Sequence, residues 1–157
     1  MMKLKNKSKN TTVNRHLTVI IPVYNSSKII GNLLELLNKK LSFLKKQKII
    51  NKFETILVND CSTDDSLVVL EKFSKDKNIK IINLKKNIGQ HLATICGLNY
   101  STGNIFVTMD DDLQHDPIYI KDIIAELNNG YEACYVKYIK RKHIFWKKLV
   151  SKLNHIT

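Results

Sequence analysis

The chain has 157 residues, 43% of them hydrophobic and 25% charged, which is typical of one folded domain with an apolar core and excludes a wholly disordered chain. Its formal net charge of +12 comes entirely from the ends: residues 1–15 hold five basic side chains, residues 137–157 hold seven, and neither range holds an acidic one. Three widely spaced cysteines argue against a disulfide framework or a zinc site, and no apolar run approaches the roughly 18 residues of a membrane-spanning helix.

Residues 1–15 are polar, basic and aperiodic, and we predict a disordered arm there. After this arm, short β-branched runs alternate with amphipathic stretches. Strands are predicted at residues 17–23, 53–59, 79–84 and 105–109, and helices at residues 28–46, 66–75 and 90–100. Strands that alternate with helices predict an α/β fold with a mostly parallel sheet and helices on both of its faces.

The last part of the chain differs in character. We predict a helix at residues 118–128 and a short strand at residues 133–136. On a helical wheel of residues 137–157, Trp146, Leu149, Val150 and Leu153 fall on one side and Lys147, Lys148 and Lys152 on the other, a pattern that suits an anionic membrane surface or a missing partner. The chain is therefore divided into an arm (1–15), a domain (16–136) and a basic amphipathic segment (137–157).

Polar side chains follow each predicted strand at the edge where parallel sheets bind ligands. Asp110, Asp111 and Asp112 come directly after an apolar strand, and such crowded carboxylates are most readily offset by a divalent cation. On an extended segment Asp110 and Asp112 point the same way and Asp111 points elsewhere. The competing interpretation is an ordinary acidic loop with a helix cap.

Two other turns have two interpretations each. Asp60 follows the second strand, and it either belongs to a simple strand-to-helix turn or accepts hydrogen bonds from the base or ribose of a nucleotide. Asn87 and Gly89 either form a plain turn or let the backbone approach a ligand closely. The histidines are assigned no role, because none has an acidic partner identifiable from the sequence.

Four ordered motifs carry a family resemblance: Val19-Ile20-Ile21-Pro22-Val23-Tyr24-Asn25, then Val58-Asn59-Asp60-Cys61-Ser62-Thr63-Asp64, then Asn87-Ile88-Gly89-Gln90 with Ala93 and Gly97, and finally Met109 to Pro117. Together they resemble the GT-A glycosyltransferases of family 2, most closely the branch that includes dolichyl-phosphate mannose synthase and bacterial polyprenyl-phosphate sugar transferases. The resemblance implies a Rossmann-like GT-A fold. It covers residues 16–157, which correspond to the nucleotide-binding half, so the fold is expected to be truncated after that half.

The resemblance also implies roles for individual residues. Pro22, Tyr24 and Asn25 correspond to the edge of the nucleotide pocket and Asp60 to the base contact, and Asp110, with Asn87 and Gly89, adds to the nucleotide-sugar site. Asp110 and Asp112 correspond to the catalytic Asp-x-Asp pair, which with Gln114 would hold Mg²⁺ or Mn²⁺. Arg141 resembles a residue that faces the acceptor phosphate. Two departures from the family pattern are Cys61 in place of a glycine that is free to take positive φ, and Val136 and Tyr138 in place of Gly and Arg.

We therefore expect a glycosyltransferase that moves a sugar from a UDP- or GDP-linked donor, with inversion, to a polyprenyl phosphate. A lipid phosphate is already anionic at neutral pH and needs cations such as Lys140 and Arg141 rather than a general base. The expected location is the cytoplasmic face of the membrane, as a peripheral protein, either with a missing C-terminal half or as a homo-oligomer. The alternative is a non-catalytic nucleotide-sugar-binding module. Nucleic acid is not an expected partner, because no recognition motif accompanies the basic ends.

Overall fold

The computed structural model describes residues 14–114 and 116–136. The predicted segment 137–157 with Arg141, and all but the last two residues of the predicted arm, lie outside the described residues. The elements in chain order are β1 (His16–Val23), α1 (Ile30–Lys46), β2 (Lys52–Asn59), α2 (Ser66–Glu71), β3 (Ile79–Asn83), α3 (Gln90–Asn99), β4 (Ile105–Thr108), a short 3₁₀ helix (Pro117–Tyr119) and α4 (Ile120–Asn128).

The four strands form one parallel sheet in the order β3-β2-β1-β4. β1 lies in the interior of this sheet, and every residue from Leu17 to Val23 is buried, as expected for a strand covered on both faces. Because all strands run in the same direction, their carboxyl ends share one edge of the sheet. The turns after β1, β2, β3 and β4 therefore gather at that edge.

Helices cover both faces of the sheet, as predicted. On one face, alternate residues of β1 pack with α1, α2 and α4, while on the other face Ile20, Ile56 and Val58 pack against Ala93 of α3. The predicted apolar face of α1 is buried at Ile30, Leu33, Leu34, Leu37, Leu41 and Leu44. Each such side chain contributes about 1.5–3 kcal/mol relative to full exposure.

Gly97 is the point of close contact between helix α3 and the sheet. A Cβ atom at this position would lie 2.5 Å from Ile20 Cγ2 and 3.2 Å from Val58 Cγ2. Both neighbours are β-branched side chains on buried strands, which have little freedom to move. The glycine therefore sets the distance between α3 and the two middle strands.

The largest differences from the predicted elements are two. Helix α2 ends at Glu71 rather than near residue 75, because Phe73 N and Ser74 N bond to carbonyl oxygens three residues back and tighten the chain into turns. Residues 133–136 form no strand, so that prediction was wrong. Tyr135 in this stretch is 93% exposed, and a cavity of about 340 Å³ separates the stretch from β4, so the apolar side chains alone do not produce pairing.

At the amino-terminal edge of the sheet, Glu54 of β2 joins neighbouring parts of the chain through hydrogen bonds and one ion pair. Its Oε1 accepts hydrogen bonds from Thr18 Oγ1 at 2.8 Å and from Thr102 N at 2.6 Å, and Lys80 Nζ lies 3.9 Å from Oε2. Desolvation raises the pKa of Glu54, but these hydrogen bonds and Lys80 outweigh it and lower the pKa below its ordinary value. Over the described ranges, no helix combines the length and apolar character needed to span a bilayer.

Candidate functional site

A cavity of about 430 Å³ lies at the carboxyl edge of the sheet. It draws residues from the turns after all four strands. Its lining consists of Pro22, Val23, Tyr24, Asp60, Asn87, Gly89, Gln90, Asp110, Asp111 and Asp112. The structure thus brings together most of the predicted site residues, but it leaves Asn25 and Gln114 outside the lining.

Other cavities of the described chain differ in chemistry. One of about 340 Å³ lies beside β4 and is lined largely by apolar and aromatic side chains. Another, of about 680 Å³, is an apolar groove between α1 and the 3₁₀ helix. The cavity at the carboxyl edge is the candidate site, because four carboxylates from two turns converge there and its volume lies in the usual range for ligand pockets.

Asp60 shapes one wall of the cavity. Only 2% of the residue is exposed, and its two carboxylate oxygens accept hydrogen bonds from Ile88 N and Gly89 N, each at 2.8 Å. Gly89 has a φ of 85°, a left-handed conformation in which a glycine is favoured. Asp60 therefore holds the turn between β3 and α3, which is not the strand-to-helix turn after β2 to which the sequence assigned it, and it also lines the cavity. Its contact with a base or ribose stays a prediction.

The turns after β1 and β2 are tied to each other through Asn25. Its backbone N donates to Ser62 Oγ at 3.1 Å, and its side-chain Oδ1 accepts from Thr63 N at 2.8 Å. Cys61, which stands where the family pattern has a glycine, takes a φ of 57°, so the left-handed conformation is present here without a glycine. The left-handed conformation costs a non-glycine residue roughly 1–2 kcal/mol, and the bonds between the two turns hold it in place.

Asp64 strengthens the same connection. Its Oδ2 accepts from Ser27 N at 3.0 Å, and its Oδ1 accepts from Ser66 N, the first residue of α2, at 2.9 Å. Desolvation raises the pKa of Asp64, but hydrogen bonds from Ser66 and Ser27 outweigh it and hold the pKa well below the usual range. The carboxylate therefore stays ionised while it joins the starts of α1 and α2.

Residues 110–114, called the acid loop below, do not continue β4 as an extended segment. β4 ends at Thr108, Leu113 has a left-handed φ of 59°, and Asp112 Oδ1 accepts from Gln114 N at 2.9 Å. The prediction that Asp110 and Asp112 share one face of an extended strand was therefore wrong in its geometry. Both residues nevertheless line the cavity, because the chain bends immediately after the strand.

Gln90 is a cavity residue that was not predicted as part of the site. Its Nε2 donates to Asp110 Oδ1 at 2.5 Å, and it is the first residue of α3, directly after the turn held by Asp60. The available signal was its position next to Gly89 in the third motif. Because the two residues are 20 positions apart, only the packing of α3 against the sheet reveals the contact.

Asp111 was expected to point away from the cavity, yet it is part of the lining. Its Oδ2 accepts from Tyr24 N at 3.1 Å and forms a short hydrogen bond with the Ser26 hydroxyl. Asp111 therefore lines the cavity against that expectation, although its carboxylate bonds to a different part of the chain from those of Asp110 and Asp112. The middle carboxylate is directed to the turn that follows β1.

The carboxylate oxygens of the acid loop fit a hard divalent cation that takes only a few of its ligands from the protein. No group of three or more His, Cys, Asp and Glu side chains within residues 14–114 and 116–136 is arranged around a common metal position. Asp110 and Asp112 are two carboxylates on one cavity, which suffices for Mg²⁺ when a substrate diphosphate and water supply the remaining ligands. Gln114 is exposed and lies outside this lining, and its part in the metal site stays a prediction.

Residues 18–155 match the sequence model of the family described as "Glycosyl transferase family 2". The chain belongs to this family. Among curated family 2 relatives, it is 33% identical over 138 residues to "Undecaprenyl-phosphate 4-deoxy-4-formamido-L-arabinose transferase" of Proteus mirabilis (strain HI4320), and the match covers 87% of this chain and 41% of the relative.

Solved structures agree with this assignment. S. aureus TarS 1-349 in complex with UDP-GlcNAc matches with a TM-score of 0.60 at 27% identity, over 82% of this chain and 38% of TarS. The mannosyltransferase PcManGT from Pyrobaculum calidifontis, in complex with GDP-Man and Mn²⁺, matches with a TM-score of 0.59 at 20% identity, over 94% of this chain and 42% of that protein. The predicted GT-A fold is thus confirmed, and this family 2 chain spans about 40% of the length of its curated relatives.

Proposed function

We propose that this family 2 chain is the donor-binding part of a glycosyltransferase that moves a sugar from a UDP- or GDP-linked donor to a polyprenyl phosphate with inversion. The observation that carries the proposal is the convergence of Asp60, Asp110 and Asp112 on one cavity at the carboxyl edge of a parallel sheet. Sheets of this kind bind nucleotides at that edge.

The cavity offers a distinct surface to each part of a nucleotide. Tyr24 is half exposed and places an aromatic ring at the rim, where a base can stack, while Pro22 and Asp60 form the adjacent wall. Gly89 lines the cavity without a side chain, and Asn87 lies beside it. These groups would hold and orient the nucleoside, and the acid loop would lie beside the diphosphate.

Asp110 and Asp112 would hold Mg²⁺ or Mn²⁺, and the cation would offset the charge that develops on the diphosphate as it leaves. The chain supplies the negative charge that attracts the cation, and Gln90 orients the carboxylate of Asp110. A structural relative that was solved with GDP-Man and Mn²⁺ supports this choice of cation. The position opposite the departing diphosphate would be left for the acceptor, and attack from that side inverts the anomeric carbon.

The acceptor is proposed from two observations. The curated relative from Proteus mirabilis carries undecaprenyl phosphate in its name. In addition, residues 137–157 hold seven basic side chains, including Arg141, and no acidic one, which suits a lipid phosphate and an anionic membrane surface. We accordingly place the protein at the cytoplasmic face of the membrane as a peripheral protein.

The first experiment measures donor binding. Isothermal titration of the 157-residue chain with UDP and with GDP, each with and without MnCl₂, should give Mn²⁺-dependent binding of one diphosphate. Asp110→Asn and Asp112→Asn should each weaken it at least tenfold, because each removes a charge from the cation site. Asp122→Asn, an exposed carboxylate of α4, is the matched control. Absence of binding for both diphosphates would contradict the proposal.

The second experiment separates transfer from binding. The chain is incubated with radiolabelled nucleotide sugars, Mn²⁺ and undecaprenyl phosphate, and label in the lipid fraction reports transfer. Because the chain spans about 40% of its curated relatives, donor binding without transfer is our second candidate function for these 157 residues. Binding together with an unlabelled lipid fraction would select that second function.

A further inference from the structure

The middle carboxylate of the acid loop has a different environment from its two neighbours. Asp110 is bonded by Gln90, and Asp112 accepts from a backbone N of its own loop, whereas Asp111 reaches across to the turn after β1. Tyr24 and Asp111 are 87 positions apart in the chain. This contact therefore joins two separate parts of the cavity wall.

We propose that Asp111 is a positioning residue that ties the acid loop to the turn after β1, and so fixes how Asp110 and Asp112 are presented to the donor. The inference rests on the proposed function, because it assigns a role to Asp111 within the same donor site. The inference adds that Asp111 differs in role from Asp110 and Asp112. Asp111 holds the acid loop in position and does not bind the ligand.

The hydrogen bonds of Asp111 support this assignment. Its Oδ2 accepts from the backbone N of Tyr24 and from the Ser26 hydroxyl. The Ser26 hydroxyl also lies 3.2 Å from the carbonyl oxygen of Tyr24, but the carboxylate is the closer and the charged acceptor. Because Oδ2 already accepts these two hydrogen bonds, this oxygen is poorly placed to bind a cation as well.

The backbone of the acid loop gives a reason why such a tie is needed. Leu113 has a φ of 59°, a conformation that costs a residue with a side chain roughly 1–2 kcal/mol. A strained loop keeps one conformation only when its surroundings hold it. Asp111 holds it from the β1 side and Gln90 holds it from the α3 side through Asp110, so the loop is fixed at two walls of the cavity.

The first test is a double-mutant cycle read out as the affinity for UDP or GDP in the presence of MnCl₂. Asp111→Ala should weaken binding roughly tenfold, the scale of one lost charge-assisted hydrogen bond. Asp111→Asn, which keeps an acceptor oxygen, should lose less. Ser26→Ala should weaken binding, and the double variant Ser26→Ala with Asp111→Ala should be no weaker than Asp111→Ala alone, because both changes break the same tie.

Two results would overturn the inference. If Ser26→Ala binds like the wild type while Asp111→Asn is as weak as Asp111→Ala, Asp111 acts on the cation itself. If the effects of Ser26→Ala and Asp111→Ala multiply, the two residues act independently. Asp122→Asn serves as the control for loss of one negative charge, and circular dichroism confirms that each variant is folded.

A second measurement keeps this inference distinct from the proposed function. Amide hydrogen exchange of Tyr24, followed by NMR in the ligand-free chain, should be slow in the wild type and at least tenfold faster in Asp111→Ala. If the wild type binds neither diphosphate, the proposed function fails, yet a protected Tyr24 amide that loses its protection in Asp111→Ala still supports the tie. An equally exchanging Tyr24 amide in both proteins would overturn the tie, whatever the chain binds.

Discussion

Asp60 offers the sharpest test of how the fold builds the candidate site. Asp60→Asn replaces one of the two carboxylate oxygens with an NH₂ group, which cannot accept from Ile88 N or Gly89 N. One backbone N–H of the turn then loses its bond to Asp60, a residue that is only 2% exposed. Gly89 N would keep its longer bond to Asn87 Oδ1 at 3.2 Å, so the full loss is expected at Ile88 N. Leaving such a donor unsatisfied costs about 1–3 kcal/mol, and Asp60→Ala, which removes both acceptors, should cost roughly twice as much.

Urea unfolding followed by circular dichroism measures this loss. With a slope of about 2 kcal/mol per molar urea, a cost of about 2 kcal/mol lowers the unfolding midpoint by about 1 M. Asp65→Asn is the matched control. It removes one negative charge from the turn after β2, in which Asp60 also lies, and the side chain of Asp65 caps no helix N–H. A midpoint for Asp60→Asn that equals the Asp65→Asn midpoint would refute the view that Asp60 holds the turn between β3 and α3.

Three further predictions concern the fold around the site. Gly97→Ala should destabilise the chain by about 1–2 kcal/mol in urea unfolding, because the new Cβ would lie 2.5 Å from Ile20 Cγ2. The control Gly31→Ala, whose Cβ would lie at an ordinary 3.5 Å from Val69 Cγ1, should be neutral or slightly stabilising. Equal unfolding midpoints for the two variants would contradict this. Glu54→Gln should have a lower free energy of unfolding than the wild type at pH 7. The difference between the two proteins should shrink as the pH falls below about 4.5, because folding lowers the pKa of Glu54 and the stability that this gives is lost when the carboxylate is protonated. A difference that stays constant from pH 7 to pH 3 would contradict this. Cys61→Gly should raise the melting temperature by a few degrees, since glycine takes the φ of 57° without strain. A lower melting temperature would show that the relief of strain is smaller than the extra backbone entropy that glycine gives the unfolded chain.

The sequence was sufficient for the α/β architecture because its main signals are local. The β-branched run of β1 and the apolar face of α1 each follow from the periodicity of a single segment, and both are buried as predicted. Parallel strands place their following turns at one edge, so the cavity could be located from the polar residues after each strand. Strand pairing is not local in this way, and residues 133–136 show that an apolar run without a paired neighbour forms no strand.

Within the site, the amino-acid sequence alone predicted that Asp60, Asp110 and Asp112 would meet, but not that Asp111 would join them or what each carboxylate would bond to. The roles of Gln90 and Asp111 depend on contacts across 20 and 87 positions, and these form only when α3 and the acid loop pack against the sheet. Cys61 likewise takes its left-handed conformation directly before Ser62 and Thr63, whose bonds to Asn25 join two turns that are far apart in the sequence. Residue types and their spacing therefore determined the chemistry of the cavity. Tertiary packing decided the direction of each side chain, because the register of the strands and the packing of the helices determine which residues far apart in sequence become hydrogen-bond partners.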